Sequence, residues 1–375
     1  MNENLIHLKS LHIEGFRSLK DVQLQDMQPL TVLIGANGAG KSNLMRFFEM
    51  LSWMLKGQKL QEFIGDQGGA DDQLFMGAKR TPHLKATIVL ETAKGMNDYA
   101  FTLSAAAANK LIFVEERYRF SASGQSSEAK WSQLPVGGSE SALVDVAQTA
   151  KTTNATAKAI VHLLRGIVSY QFHDTSKNAY LKQAWDMNDY AFLRSHGGNV
   201  AAVLLYLREN HVKRFQLIEK QIRRVLPSFG GFELNPVAGR VELRWQHKFG
   251  DKTMGAHLTS DGSLRLFCLV TLLNLPREML PPVILLDEPE LGLHPNAVVL
   301  VAAMIRTLSA RCQVILATQS PLMVDGFSLD DITVVDVEAG ATELRKLSQA
   351  QYQQWLDDNF TVSDLWLSNV IGGQP

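Results

Sequence analysis

The sequence predicts an α/β fold in which a parallel-sheet lobe and an antiparallel β lobe form one unit over 1–375, with a helical insertion at about 140–228. Three observations predict it. Apolar strand-like runs alternate with helix-like ones from residue 258 onward, the arrangement of a parallel sheet covered on both faces. Half-buried alternation fills HLKATIVLET and the stretch from YAFTL to LIFVEERYRF, as in an antiparallel sheet. Between a strand-like LTVLI and a helix-like run stands GANGAGKS, Gly35 to Ser42.

Composition narrows the setting. With 375 residues, 46% of them hydrophobic, the chain can bury a large core. Lys plus Arg (37) nearly cancels Asp plus Glu (38), so no global field attracts nucleic acid and any DNA contact needs a local patch. Cys268 and Cys312 form no C-x-x-C pair, which excludes a disulfide framework or zinc knuckle and fits a reducing cytoplasm. The opening MNENLIHLKSLHIEGF lacks a secretory layout, and no window reaches the roughly 18 apolar residues of a membrane span. A soluble, cytoplasmic protein with no membrane contact of its own is expected.

In chain order, LHIEGF, DVQLQ and LTVLIG read as short strands leading into the phosphate loop. Residues 41–55 are apolar nearly all round and predict a mostly buried helix. The next twenty or so residues read as loop, and 121–140 as a linker or exposed hairpin. From 140 to 228 the period is helical, without sustained heptads. In the helix at about 211–226, Val212, Phe215, Ile218, Ile222 and Leu226 fall on one face. Its Lys213, Arg214, Lys220, Arg223 and Arg224 offer phosphate contacts, although a solvated face on a core helix explains them as well.

The loop fits G-x-x-x-x-G-K-[ST] at Gly35, Gly40, Lys41 and Ser42, with Ala36, Asn37, Gly38, Ala39 and Asn43 in and beside it. Successive backbone N–H groups must curl inward onto a phosphate, Lys41 reaches the β- and γ-phosphates, and Ser42 offers a hydroxyl to Mg²⁺. VILLDEPE then ends a buried strand in two carboxylates, a costly arrangement without a cation or a reacting water. Asp287 suits the magnesium shell, and Glu288 suits the water.

These motifs resemble the ABC-type ATPase heads of the SMC, RecF and OLD families, and more closely the RecF-like ATPases without coiled coils. GFRSL, FHDTS, LTSDGSLR, LLDEPELGLHP, ATQSP and the final LWLSNVIGGQP extend the likeness over nearly the whole chain. The resemblance implies a P-loop NTPase of ABC-head type that uses ATP and Mg²⁺ and closes as a homodimer. It makes Ser260, Asp261, Gly262 and Ser263 the signature segment, Glu290 to Pro295 the loop facing the partner, and Gln319 the γ-phosphate sensor where many heads carry His. Asp261 and Ser263 depart from the transporter L-S-G-G-Q pattern.

Arg17 falls where related heads place a basic residue near the nucleotide, and a solvated turn explains it equally. Gln73, with Gln61 competing, would be the glutamine contacting Mg²⁺ and water. His173 and Asp174 offer a catalytic or metal pair, but with Thr175 and Ser176 they read better as a helix-start turn. Lys41, Glu288 and Gln319 are the expected catalytic residues. Three roles compete: a RecF-like ATPase of DNA repair and genome maintenance, a sensor in anti-phage defence that controls a separate nuclease or toxin effector, and a transporter subunit. SDGS, the insertion and GFRS disfavour the last. The stop at Pro375 leaves no room for a Toprim-type nuclease domain, so an effector would be a second protein.

Overall fold

A computed structural model describes residues 6–57, 59–123, 129–148, 154–250 and 252–374. The first half opens with β1 (His7–Phe16), β2 (Leu19–Leu24), β3 (Leu30–Ile34) and α1 (Lys41–Leu55), followed by short α2 (Leu60–Asp66) and α3 (Ala70–Gln73). Next come β4 (His83–Thr92), β5 (Gly95–Ala106), β6 (Lys110–Ala122), β7 (Ser132–Gln133), α4 (Leu143–Gln148), α5 (Ala155–Arg165), β8 (Ile167–Tyr170) and β9 (Trp185–Asp186). The middle holds α6 (Val200–Asn210), α7 (Val212–Val225), β10 (Phe229–Phe232), β11 (Arg240–Val241), β12 (Arg244–His247) and β13 (Thr253–Gly255). The last part is α8 (Asp261–Asn274), β14 (Val283–Asp287), α9 (Pro295–Ser309), β15 (Gln313–Thr318), α10 (Pro321–Val324), β16 (Ile332–Glu338), β17 (Ala341–Lys346), α11 (Gln353–Asp357) and α12 (Val362–Leu367).

One six-stranded sheet runs β2-β1-β4-β5-β6-β7 and is antiparallel throughout. The other runs β17-β16-β3-β15-β14-β8, parallel except for the β16–β17 hairpin. Side chains of its strands alternate faces as a period of two requires. Val32, Ile284, Leu316 and Val334 join a core with α6 to α9 and α12, while Leu33, Leu285, Ile315 and Val335 join a second core with α1, α5 and the antiparallel sheet. The α/β class and the two lobes agree with the sequence pattern. So does α1, whose buried residues circle most of its surface.

Three readings are corrected and one is refined. The stretch after α1 contains α2 and α3, held by Leu60, Phe63, Ile64 and Ala70 buried against the second core. In 121–140 the exposed Ser132–Gln133 pair antiparallel with β6, in agreement with the exposed-hairpin reading, and residues 124–128 lie outside the described residues. The 140–228 span contains α4 to α7, but Ile167–Tyr170 pair in parallel with Val283–Leu286 and form the outer strand of the parallel sheet. Its helical appearance comes from the apolar α5 running straight into an equally apolar strand. On α7, Phe215, Ile218 and Ile222 are buried as the stripe requires, whereas Val212 at the helix start is half exposed to solvent.

Candidate nucleotide site

Parallel pairing puts three strand ends side by side. Ile34 pairs with Thr318, and Ala317 with Asp287, so β3, β15 and β14 deliver the phosphate loop, Gln319 and the acidic pair to one edge about 4.8 Å apart per strand. Ligands of open α/β sheets bind outside such carboxyl ends.

The loop leaves β3 at Gly35 and enters α1 at Lys41. Lys41 Nζ folds back onto the carbonyls of Gly35 (2.6 Å) and Ala36 (2.9 Å). Burial lowers its pKa, against the carboxylates of Glu288, Asp287 and Glu290, which act to raise it. Asn37, Gly38 and Ser42 are exposed. A polar chain braces the loop from behind: Asn43 Nδ2 donates to Ser18 Oγ (2.8 Å), Ser18 meets Thr342 Oγ1 (2.7 Å), and Thr342 donates to the Ala39 carbonyl (2.9 Å). Only glycine fits at 40, because its φ is +109° and a β-carbon there would overlap the Thr342 hydroxyl.

Ser42 Oγ donates to Asp287 Oδ2 at 3.3 Å. Burial first, and the Glu288 charge second, raise the Asp287 pKa. A hydroxyl and a carboxylate this close are hard oxygen donors that fit Mg²⁺, whose charge would offset that cost. Glu288 has φ +46°, an uncommon conformation for a residue with a side chain, and its carboxylate accepts from Gln319 Nε2.

Two groups for which the sequence suggested other roles also stand at this edge. Glu290 Oε1 takes the Thr318 hydroxyl and the Gln319 N–H (3.2 Å), while its Oε2 is buried without a protein partner. Burial raises its pKa. Glu290 thus fixes the strand end that carries Gln319. His173, just past β8, sets Nε2 3.2 Å from the Asp287 carbonyl. Its loop is a turn in which Ser176 N–H donates to Asp174 Oδ1, and the first helical turn after it, a 3-10 turn, comes only at Tyr180–Lys182. The second glutamate of DEPE was visible in the sequence, whereas His173 needed β8 to be recognised as a sheet strand.

The expected magnesium glutamine is also corrected. Gln73 is fully buried, accepting from Arg17 Nε (3.0 Å) and donating to the Gln67 carbonyl (2.6 Å), so both ends of its amide are taken by protein partners. Gln61 donates to the carbonyls of Leu111 and Ser139. Arg17 is held by Gln73 and Gln67, and its neighbour Ser18 touches the phosphate loop instead.

Ser260 is the N-cap of α8, accepting from the Ser263 N–H. Arg265 one turn on donates to the carbonyls of Leu291 (2.8 Å) and His173 (3.1 Å), tying the signature segment to the loop after β14. Ser260 and Asp261 are exposed, and Leu258 (61% exposed) and Leu291 (49%) stand beside them. His294 caps α9, with Pro295 at its first turn. On α7, Arg214 donates to the Asn274 carbonyl and Arg223 pairs with Glu219, while Lys213, Lys220, Arg223 and Arg224 are all exposed. No group of three metal-ligating side chains occurs among the described residues, and none of their helices is long and apolar enough to cross a membrane.

Fold and site together define a P-loop nucleotide-binding head of the ABC type. The chain belongs to the family described as "AAA domain, putative AbiEii toxin, Type IV TA system", whose model matches residues 30–325. It is similar to the DNA replication and repair protein RecF of Trichodesmium erythraeum (strain IMS101), 32% identical over 98 residues, 26% of this chain and 22% of that one. It is also similar to the chromosome partition protein Smc of Desulfitobacterium hafniense (strain Y51), 36% identical over 74 residues, 20% of this chain and 6% of that one. The matched stretches thus span about a fifth or less of these relatives. Among solved structures, an Smc head bound to the C-terminal winged-helix domain of ScpA matches with TM-score 0.56 at 16% identity, covering 92% of this chain and 99% of that one. An Smc head with an extended coiled coil, bound to the C-terminal domain of ScpA derived from Pyrococcus furiosus, matches with TM-score 0.54 at 16% identity, covering 95% and 100%. These neighbours share the fold.

Proposed function

We propose that this protein hydrolyses ATP in a site shared by two copies of the chain closed head to head. The observation that carries the reading is the division of the groups. Lys41, Ser42, Asp287, Glu288 and Gln319 converge at one sheet edge, while exposed Ser260 and half-buried Gly262 stand at the start of α8 with exposed Leu258 and Leu291 beside them. A site using both sets needs a second copy, and large exposed leucines around it suit burial on closure.

In this reading the backbone N–H groups of 36–41 and Lys41 hold the phosphates. Ser42 and Asp287 would hold Mg²⁺, which supplies charge neutralisation when bound. Glu288 orients the attacking water and takes its proton; Gln319, with its N–H fixed by Glu290, holds the Glu288 carboxylate in place. The partner's signature serine and backbone N–H groups complete the anion site.

The test is Glu288→Gln with ATP. It should retain nucleotide and accumulate dimer in sedimentation, and Leu258→Lys in that background should return it to monomer. An unchanged hydrolysis rate would remove Glu288 from the mechanism, and a monomer with bound ATP would remove the shared site.

For the cellular role we favour DNA repair and genome maintenance, supported by the RecF relatives. The family description, naming a toxin of a type IV system, supports the second reading, a defence ATPase that controls a separate effector. Duplex DNA at low salt separates them. Stimulated hydrolysis supports the first, and an unchanged rate leaves the second.

A further inference from the structure

The sequence LWLSNVIGGQP takes no part in the chemistry above, yet the fold brings it to the start of the phosphate loop. α12 is firmly anchored: Ser363 N–H and Oγ each donate to the Asp325 carboxylate at 2.8 Å, and Leu365 and Trp366 are buried in the first core. The chain then folds back. Ile371 is fully buried and its carbonyl accepts from Arg345, Trp366 Nε1 donates to the Gly373 carbonyl at 3.3 Å, and Gln374 Nε2 donates to the Trp366 carbonyl at 3.1 Å.

This hook ends against Gly35. Gly373 has φ +79°, and a β-carbon there would stand 2.9 Å from Val334 Cγ1 and 3.5 Å from Gly35 Cα. From β16, the Val335 carbonyl fills the space that a side chain at 35 would need. Gly35 therefore lies between a strand carbonyl and the hook, and its own carbonyl is the 2.6 Å partner of Lys41.

We propose that Gly373, held by Trp366, is a positioning residue for the phosphate loop. The docked hook fixes Gly35, and through it the carbonyl that parks Lys41 and the curl of N–H groups that receives the phosphates. The proposal rests on the reading that Gly35 to Ser42 bind ATP. Because the hook and the nucleotide act on the same glycine, their effects are reciprocal: ATP tightens the hook as the hook tightens ATP.

The experiment uses the full chain, with binding of a fluorescent ATP analogue, hydrolysis kinetics and thermal melting. Lys41→Ala serves as the control for the nucleotide reading. Gly373→Ala puts a methyl group 2.9 Å from Val334 Cγ1 and 3.3 Å from Trp366 Nε1 on a backbone at φ +79°, which loosens the hook from Gly35, and should raise Kd and KM for ATP about tenfold while kcat stays within about twofold, since no group acting on the water has moved. Trp366→Phe keeps the ring in the core and removes the donor, and should give a smaller rise in KM of about threefold. Amide exchange at 370–374 should slow when ATP is bound. An unchanged KM in both variants, exchange indifferent to ATP, or KM and kcat worsening only in step with a lower melting temperature would overturn the proposal. Wild-type protein that binds ATP no better than Lys41→Ala would overturn the nucleotide reading, and this one with it.

Discussion

Replacing Gln319 by alanine isolates the contact that orients the proposed base. Gln319 Nε2 donates to the Glu288 carboxylate, and Glu288 is held at φ +46°, so the side chain has a strained backbone and one named anchor. A hydrogen bond to a charged group contributes about 1.5–3 kcal/mol, and each 1.36 kcal/mol of barrier is about tenfold in rate. If that contact acts on the chemical step, Gln319→Ala slows single-turnover hydrolysis by about 10- to 100-fold, the lower part of the range matching a half-buried pair. ATP affinity should change by less than about threefold, because Lys41 and the loop amides are untouched. Gln319→His, which keeps a donor, should recover part of the rate. The assay is rapid-quench hydrolysis with enzyme in excess over ATP. A single-turnover rate equal to wild type would refute the role of Gln319, and an equal loss in rate and in affinity would show that it acts on binding instead.

Two further outcomes follow from the same edge. Burial and Glu288 raise the Asp287 pKa, so its ionised form disfavours the fold without a cation: stability from this group is present at acidic pH and is lost as pH rises through its raised pKa. Asp287→Asn should therefore melt at a higher temperature than wild type at neutral pH without magnesium, lose that advantage as pH falls, and fail to hydrolyse ATP. Thr342→Val keeps the shape of a fully buried side chain but removes its bonds to the Ala39 carbonyl and Ser18. At about 0.5–1.5 kcal/mol for each net hydrogen bond, ATP affinity measured by titration should fall about tenfold.

The sequence made the groups at the sheet edge legible wherever chemistry needs fixed spacing. GANGAGKS and DE each sit at a strand end, and the long apolar runs of β3, β14 and β15 announced the strands that carry them. What escaped was long-range. Ile167–Tyr170 are too short for periodicity to separate them from α5, so His173 could not be placed beside Asp287. Gln73 had the expected distance from the loop, but its amide is engaged by Arg17 and Gln67, partners that spacing cannot reveal. Ser18 and Thr342 are ordinary hydroxyls in sequence, and only the β16–β17 hairpin folding beside β3 makes them supports of Gly40.

Those supports carry a consequence for how the protein comes into being. Thr342 and Ala39 are 303 positions apart, and β3 has both of its neighbours, β15 and β16, at comparable separation. At roughly 5–20 residues per second, a ribosome that has finished the phosphate loop needs about 15–60 s more to produce the strands that flank it. Until then β3 offers two open edges and a loop with nothing behind it. The nascent chain should therefore remain blind to ATP through most of its synthesis, and gain the ligand's stabilising help only when its final quarter has folded.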